Sequence, residues 1–164
     1  MRTLWFCGED ENKLTSISEI VGEELINRGQ FVELIVHSEV QEILGQGLKG
    51  TIEDKLIFTD RLGFLGHLLH RNNIFALIVS RDASVEGRKM VKQTYKNYIQ
   101  INIGQSKDLI CDLDLNSNEN PKENARKIIE YLVLEKLISE KSHSTYSSEE
   151  EEEIRRRLEE LGYV

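Results

Sequence analysis

Residues 3–36, TLWFCGEDENKLTSISEIVGEELINRGQFVELIV, decide the fold. An apolar strand occupies 3–7, uninterrupted by polar alternation, as expected of a strand covered on both faces. A turn starts at Gly8, and an amphipathic helix follows over about 14–27. Ile17, Ile20, Val21 and Leu25 recur on its face at helical spacing, and Arg28-Gly29 ends it. A second strand occupies residues 31–36. This is the opening strand–helix–strand unit of a parallel α/β domain. Where such a first turn wraps a phosphate it is glycine-rich and is followed by Lys. Here the turn is Gly8-Glu9-Asp10-Glu11-Asn12-Lys13-Leu14-Thr15-Ser16. It keeps one Gly and sets three carboxylates, Glu9, Asp10 and Glu11, where a polyphosphate would lie. Like charges repel there, and non-glycine residues resist the backbone angles of an anion nest. The scaffold is expected to remain and its phosphate chemistry to be absent.

Downstream, residues 38–44 read as a short helix capped by Ser38, ending at the glycine-rich GQGLKG of 45–50. Thr51-Ile52-Glu53-Asp54 has the form of a capping box and starts a long helix to about Arg71, closed by Asn72-Asn73. IFALIV at 74–79 is the most apolar strand and is expected mid-sheet. A helix over 84–96, a strand over 98–103 and a weaker fifth strand over 109–115 follow. Pro121 suits the first position of a last helix running to 138. The alternation predicts an α/β fold with a five-stranded, mainly parallel sheet and helices on both faces. The domain is assigned to 1–138, a polar linker to 139–148 and a charged C-terminal helix to 149–164. In that last helix Glu151–Arg155, Glu152–Arg156 and Glu153–Arg157 are i,i+4 pairs. Its apolar stripe, Ile154, Leu158, Leu161 and Tyr163, is expected to pack on its own domain or to bind a partner.

The length of 164 residues suits one domain with a full core. A net charge of −8 disfavours nonspecific nucleic-acid binding. No apolar run approaches the roughly 20 residues that span a bilayer. The N-terminus lacks the apolar segment of a signal peptide, so a cytoplasmic protein is expected. Cys7 and Cys111 read as buried thiols of a reducing compartment. His67 and His70 lie three apart on the long helix without a supporting carboxylate or Cys, so no metal site is assigned. Ser80-Arg81 follow a strand's carboxyl end, where open α/β sheets bind ligands. They complete a candidate residual nucleotide or anion site of Lys13, Thr15, Ser16, Arg61, Ser80 and Arg81. The competing reading makes all six ordinary loop and cap residues.

The chain resembles adenylyl-sulfate (APS) kinase, which phosphorylates the 3′-hydroxyl of adenosine 5′-phosphosulfate. Thr3, Trp5 and Gly8 fit the family's T-x-W-x-x-G opening. Arg28-Gly29-Gln30-Phe31-Val32-Glu33-Leu34-Ile35 is similar to its R-G-x-x-V-E-L-L. Ser80-Arg81 stand in place of its S-P-Y-R turn. The resemblance covers roughly 3–138 and implies a three-layer P-loop-kinase fold. The departures fall on the chemistry. The family's phosphate-loop glycines align with Gly8, Glu11 and Lys13, and its Lys with Leu14, leaving the hydroxyl pair Thr15-Ser16. Its D-G-D after strand 2 becomes Val36-His37-Ser38. In its D-R-x-x-N-I-R segment, Asp54 and Arg61 remain, while Lys55, Phe58 and Asp60 are replacements. Its basic lid of some thirty residues is reduced to Gly104-Gln105-Ser106-Lys107. Phosphoryl transfer rests on positioning and charge stabilisation, and losing one electrostatic stabiliser costs about 2.7–4 kcal/mol of barrier.

The expectation is therefore a catalytically inactive APS-kinase-like protein that regulates or binds a protein, linked to sulfate activation. Its partner would be another protein or a second copy of itself, with no cofactor, nucleic acid or membrane. The alternative is a non-catalytic sensor of an adenine nucleotide or APS. A third reading, an active kinase with an atypical phosphate site, would need ATP and Mg.

Overall fold

In the computed structural model, residues 3–81, 83–104, 110–139 and 156 are described. The elements are β1 (Thr3–Gly8), α1 (Glu11–Asn27), β2 (Phe31–Val36), α2 (His37–Leu44), α3 (Ile52–Arg71), β3 (Ile74–Val79), α4 (Val85–Tyr95), β4 (Tyr98–Gly104), β5 (Leu113–Asn116) and α5 (Pro121–Leu134). The five strands lie in the order β2-β3-β1-β4-β5, and each pairs with its neighbours in parallel. The α/β class and the five-stranded parallel sheet agree with the reading of the sequence.

Period-two alternation in β1 divides its side chains between two cores. Leu4 and Phe6 join α1 and α5 on one face with Leu14, Ile17, Val21, Leu25, Ile128 and Leu132. Trp5 faces the other way, into a cluster with Ile35, Phe58, Leu62, Ile78, Val91 and Tyr98 beneath α3 and α4. Burial on both faces explains why β1 and β3 read as continuous apolar runs. Phe31 and Glu33, on the edge strand β2, are exposed.

Several boundaries shift for identifiable reasons. α1 starts at Glu11 rather than 14, because Asp10 caps it: its carboxylate accepts the Lys13 N–H at 3.2 Å. α2 begins at His37 without a side-chain cap, so Ser38 lies inside it. β5 is confined to Leu113–Asn116, and Cys111 precedes it. α5 stops at Leu134; Leu137 and Ile138 still pack on the core as the chain turns, with Lys136 in the left-handed region at φ 56°. β3 is interior, but the central strand is β1. The capping box at Thr51–Asp54 and Pro121 in the first turn of α5 are present as read. Among the described residues no helix is long and apolar enough to cross a membrane. The apolar stripe Ile154, Leu158, Leu161 and Tyr163 lies outside the described residues.

Candidate functional site

The carboxyl ends of the parallel strands form the edge where ligands bind in open α/β sheets. At the end of β1 only Glu9 and Asp10 separate the strand from α1. A connection this short leaves no arc of backbone to wrap a phosphate. Asp10 is itself the anion at the helix N-terminus, where the positive end of the dipole lies. Gly8 is hemmed in from β4: a Cβ there would lie 2.4 Å from the Ile103 carbonyl oxygen. Lys13 Nζ donates to the Ser117 carbonyl oxygen beyond β5. A small cleft remains, lined by Glu9, Asp10, Lys13, Ile103, Gly104 and Ser117, with two carboxylates at its mouth.

A second cleft, of about 230 Å³, opens beyond β2 and β3 and is lined by His37, Gln41, Leu48, Asp54, Lys55, Phe58 and Thr59. The His37 ring lies over Phe58, centroids 4.5 Å apart and planes 32° from parallel. His37 Nδ1 is 3.0 Å from the Oγ of Ser80, which is buried at the end of β3. This bond orients the imidazole, and Phe58, only 7% exposed, gives it an apolar floor. Asp54 stands at the rim. The Thr51 backbone N–H at 3.0 Å, followed by that of Lys49 at 2.9 Å, holds its carboxyl below the usual carboxylate range. The cleft thus offers the tilted His37–Phe58 pair, the Asp54 carboxylate and the exposed Lys55 amine. It suits a flat, partly polar group.

The six residues of the sequence-derived site are placed as follows. Thr15 Oγ1 donates back to the Glu11 carbonyl oxygen at 2.8 Å, within its own helix. Ser16 is half-buried on α1 and Arg81 is exposed after β3. Arg61 Nη1 donates to the carbonyl oxygens of Leu44 and Gln46, tying α3 to the end of α2. Ser80 meets His37, and Lys13 meets Ser117. Lys13 lines the smaller cleft and Arg61 a surface hollow beside Phe64 and Tyr95, whereas none of the six lines the larger cleft. The sequence reading missed the pairing of His37 with Phe58. Each stands where the APS kinase pattern carries another residue, but His37 opens α2 and Phe58 lies inside α3, and no spacing links the two.

No family model matches the chain. Over 99 residues it is 30% identical to the adenylyl-sulfate kinase of Picosynechococcus sp. (strain ATCC 27264 / PCC 7002 / PR-6), covering 60% of this chain and 56% of that protein. The chain therefore spans little more than half the length of this curated relative. The solved APS kinase CysC of Mycobacterium tuberculosis superposes with a TM-score of 0.70 at 19% identity, over 80% of this chain and 96% of that one. A hexameric APS kinase from Thiobacillus denitrificans gives a TM-score of 0.67 at 14% identity, over 82% of this chain and 29% of the other.

Proposed function

We propose, from the premise that this chain is an APS-kinase-like protein of P-loop-kinase fold, that it is a non-catalytic regulatory or protein-binding module linked to sulfate activation. One observation carries the reading: the two-residue connection Glu9-Asp10 stands where a phosphate loop would be, with its carboxylate capping α1. Transfer of a phosphoryl group needs backbone N–H groups and cations around the polyphosphate, and this turn presents carboxylates instead. Lys13, the nearest amine, is engaged by Ser117. The partner is a protein, or a second copy of the chain; assembly of a related kinase into hexamers favours self-association. Cytoplasmic residence accords with this role.

The second reading, a sensor of an adenine nucleotide or APS, is favoured by the His37–Phe58 cleft, which is the right shape and polarity for a flat heterocycle. A thermal-unfolding series with ATP, ADP and APS, each with and without magnesium, separates the two. Ligand at a hundred times its dissociation constant contributes about 2.7 kcal/mol, a rise of roughly 5–10 °C in a domain of this size. No shift is expected under the module reading. A shift that Phe58→Ala abolishes would establish the sensor, and release of ADP from ATP in the presence of APS would overturn both.

A further inference from the structure

α4 carries Arg88, 3% exposed, whose Nη1 lies 3.4 Å from each of three acceptors: Cys7 Sγ, Cys111 Sγ and Gln100 Oε1. The two sulfurs are 3.6 Å apart, although 104 positions separate them in the chain. The pocket is held from several sides. Gln100 Nε2 donates to the Arg88 carbonyl oxygen at 2.8 Å, and Cys7 Sγ–H donates to the Ile101 carbonyl oxygen at 3.3 Å. A guanidinium is always charged and, once removed from water, favours negative charge beside it. A guanidinium 3.4 Å from both sulfurs favours the thiolate over the thiol, the setting in which cysteine becomes nucleophilic. Cys7 keeps its proton on Ile101 and is 6% exposed, whereas Cys111 is half-buried and reachable. Closure must shorten the 3.6 Å gap to the bonding distance of about 2 Å, and because β4 lies between β1 and β5 it draws the segment at Cys111 toward β1.

We propose that Cys7, Cys111 and Arg88 form an oxidisable dithiol site that takes a hydroperoxide as its oxidant and closes to an intramolecular disulfide. The Cys111 thiolate attacks the peroxide oxygen, forming an S–O bond as the O–O bond breaks and hydroxide leaves. The product is a sulfenic acid. Cys7 then attacks that sulfur, forming the S–S bond; the oxygen departs and takes up the Cys7 proton to leave as water. Two electrons pass from the two sulfurs to the peroxide. The bond crosses over β4, joining β1 at the residue before Gly8 to the approach to β5.

The test treats the full chain with hydrogen peroxide, alkylates it under denaturing conditions and maps the peptides. Loss of both alkylated cysteines, with the Cys7 and Cys111 peptides joined in a monomer and separated by dithiothreitol, is expected. The oxidised chain should unfold about 5–15 °C higher, since a loop of about a hundred residues is closed. Arg88→Gln should slow closure about tenfold and Arg88→Lys less, as the cation is removed or kept. Both cysteines still alkylated after saturating peroxide, oxidation halting at a sulfinic acid on Cys111, or a cross-link found only between chains would overturn the proposal. Closure at an unchanged rate in Arg88→Gln would remove Arg88 from it.

Discussion

Gly63→Ala tests how closely α3 and α4 approach. Gly63 lies inside α3, where replacing glycine by alanine gains about 1 kcal/mol of helix propensity. Against that, a Cβ at this position would sit 2.6 and 2.8 Å from the two γ-methyls of Val91 on α4, and 3.3 Å from the Tyr95 ring. Val91 is fully buried and cannot rotate into solvent. Overpacking of this kind costs about 1–3 kcal/mol, so the substitution should destabilise by about 1 kcal/mol net. With a urea m-value of about 2 kcal/mol/M, the midpoint should fall by about 0.5 M. The mechanism is isolated by a second substitution. Val91→Ala alone leaves a void and costs about 2 kcal/mol, but combined with Gly63→Ala the new methyl occupies the vacated space. The double variant should be more stable than the sum of the two losses by about 1–3 kcal/mol. Stabilisation by Gly63→Ala alone, with strict additivity in the double variant, would refute this account of the helix contact.

Two further outcomes follow from the site. The folded state holds Asp54 ionised more firmly than the unfolded chain does, so its carboxylate stabilises the protein above the unfolded value of about 3.9. That contribution is lost as pH falls through the lowered folded value. The difference in melting temperature between wild type and Asp54→Asn should be constant near neutrality and vanish in strong acid; a difference that persists there would contradict the assignment. Lys13→Met should lower stability by about 0.5–1.5 kcal/mol through loss of the bond to Ser117. It should leave any ATP-induced shift in melting temperature unchanged, whereas loss of such a shift would place Lys13 on a nucleotide.

What the sequence disclosed and what it withheld divide along a physical line. Strands buried on both faces announce themselves as apolar runs, and β2 and β3 match their expected ranges to the residue. The capping box at Thr51 was equally legible because its two bonds are local. The start of α1 was misjudged because Glu11-Asn12-Lys13 is polar and carries no periodic signal; Asp10 sets that boundary through one hydrogen bond. The expected fifth strand is too long because the apolar Ile110 and Cys111 precede the residues that pair with β4. The clusters that give the molecule chemistry were the least legible. His37 with Phe58 and Ser80, and Arg88 with Cys7 and Cys111, are assembled by the crossovers of the sheet from positions far apart in the chain. No spacing rule connects them.

The strand order also constrains the sequence of events as the polypeptide leaves the ribosome. β1 emerges early, yet both its neighbours, β3 and β4, are encoded far downstream, and α5 must arrive before the opposite side of α1 is covered. Until then the greasy face of Leu14, Ile17, Val21 and Leu25 is covered only in part, by β1, β2 and β3. A nascent chain of this topology keeps part of its apolar surface uncovered until its last helix is made. Chaperone occupancy during translation should therefore peak before α5 emerges and fall sharply afterwards.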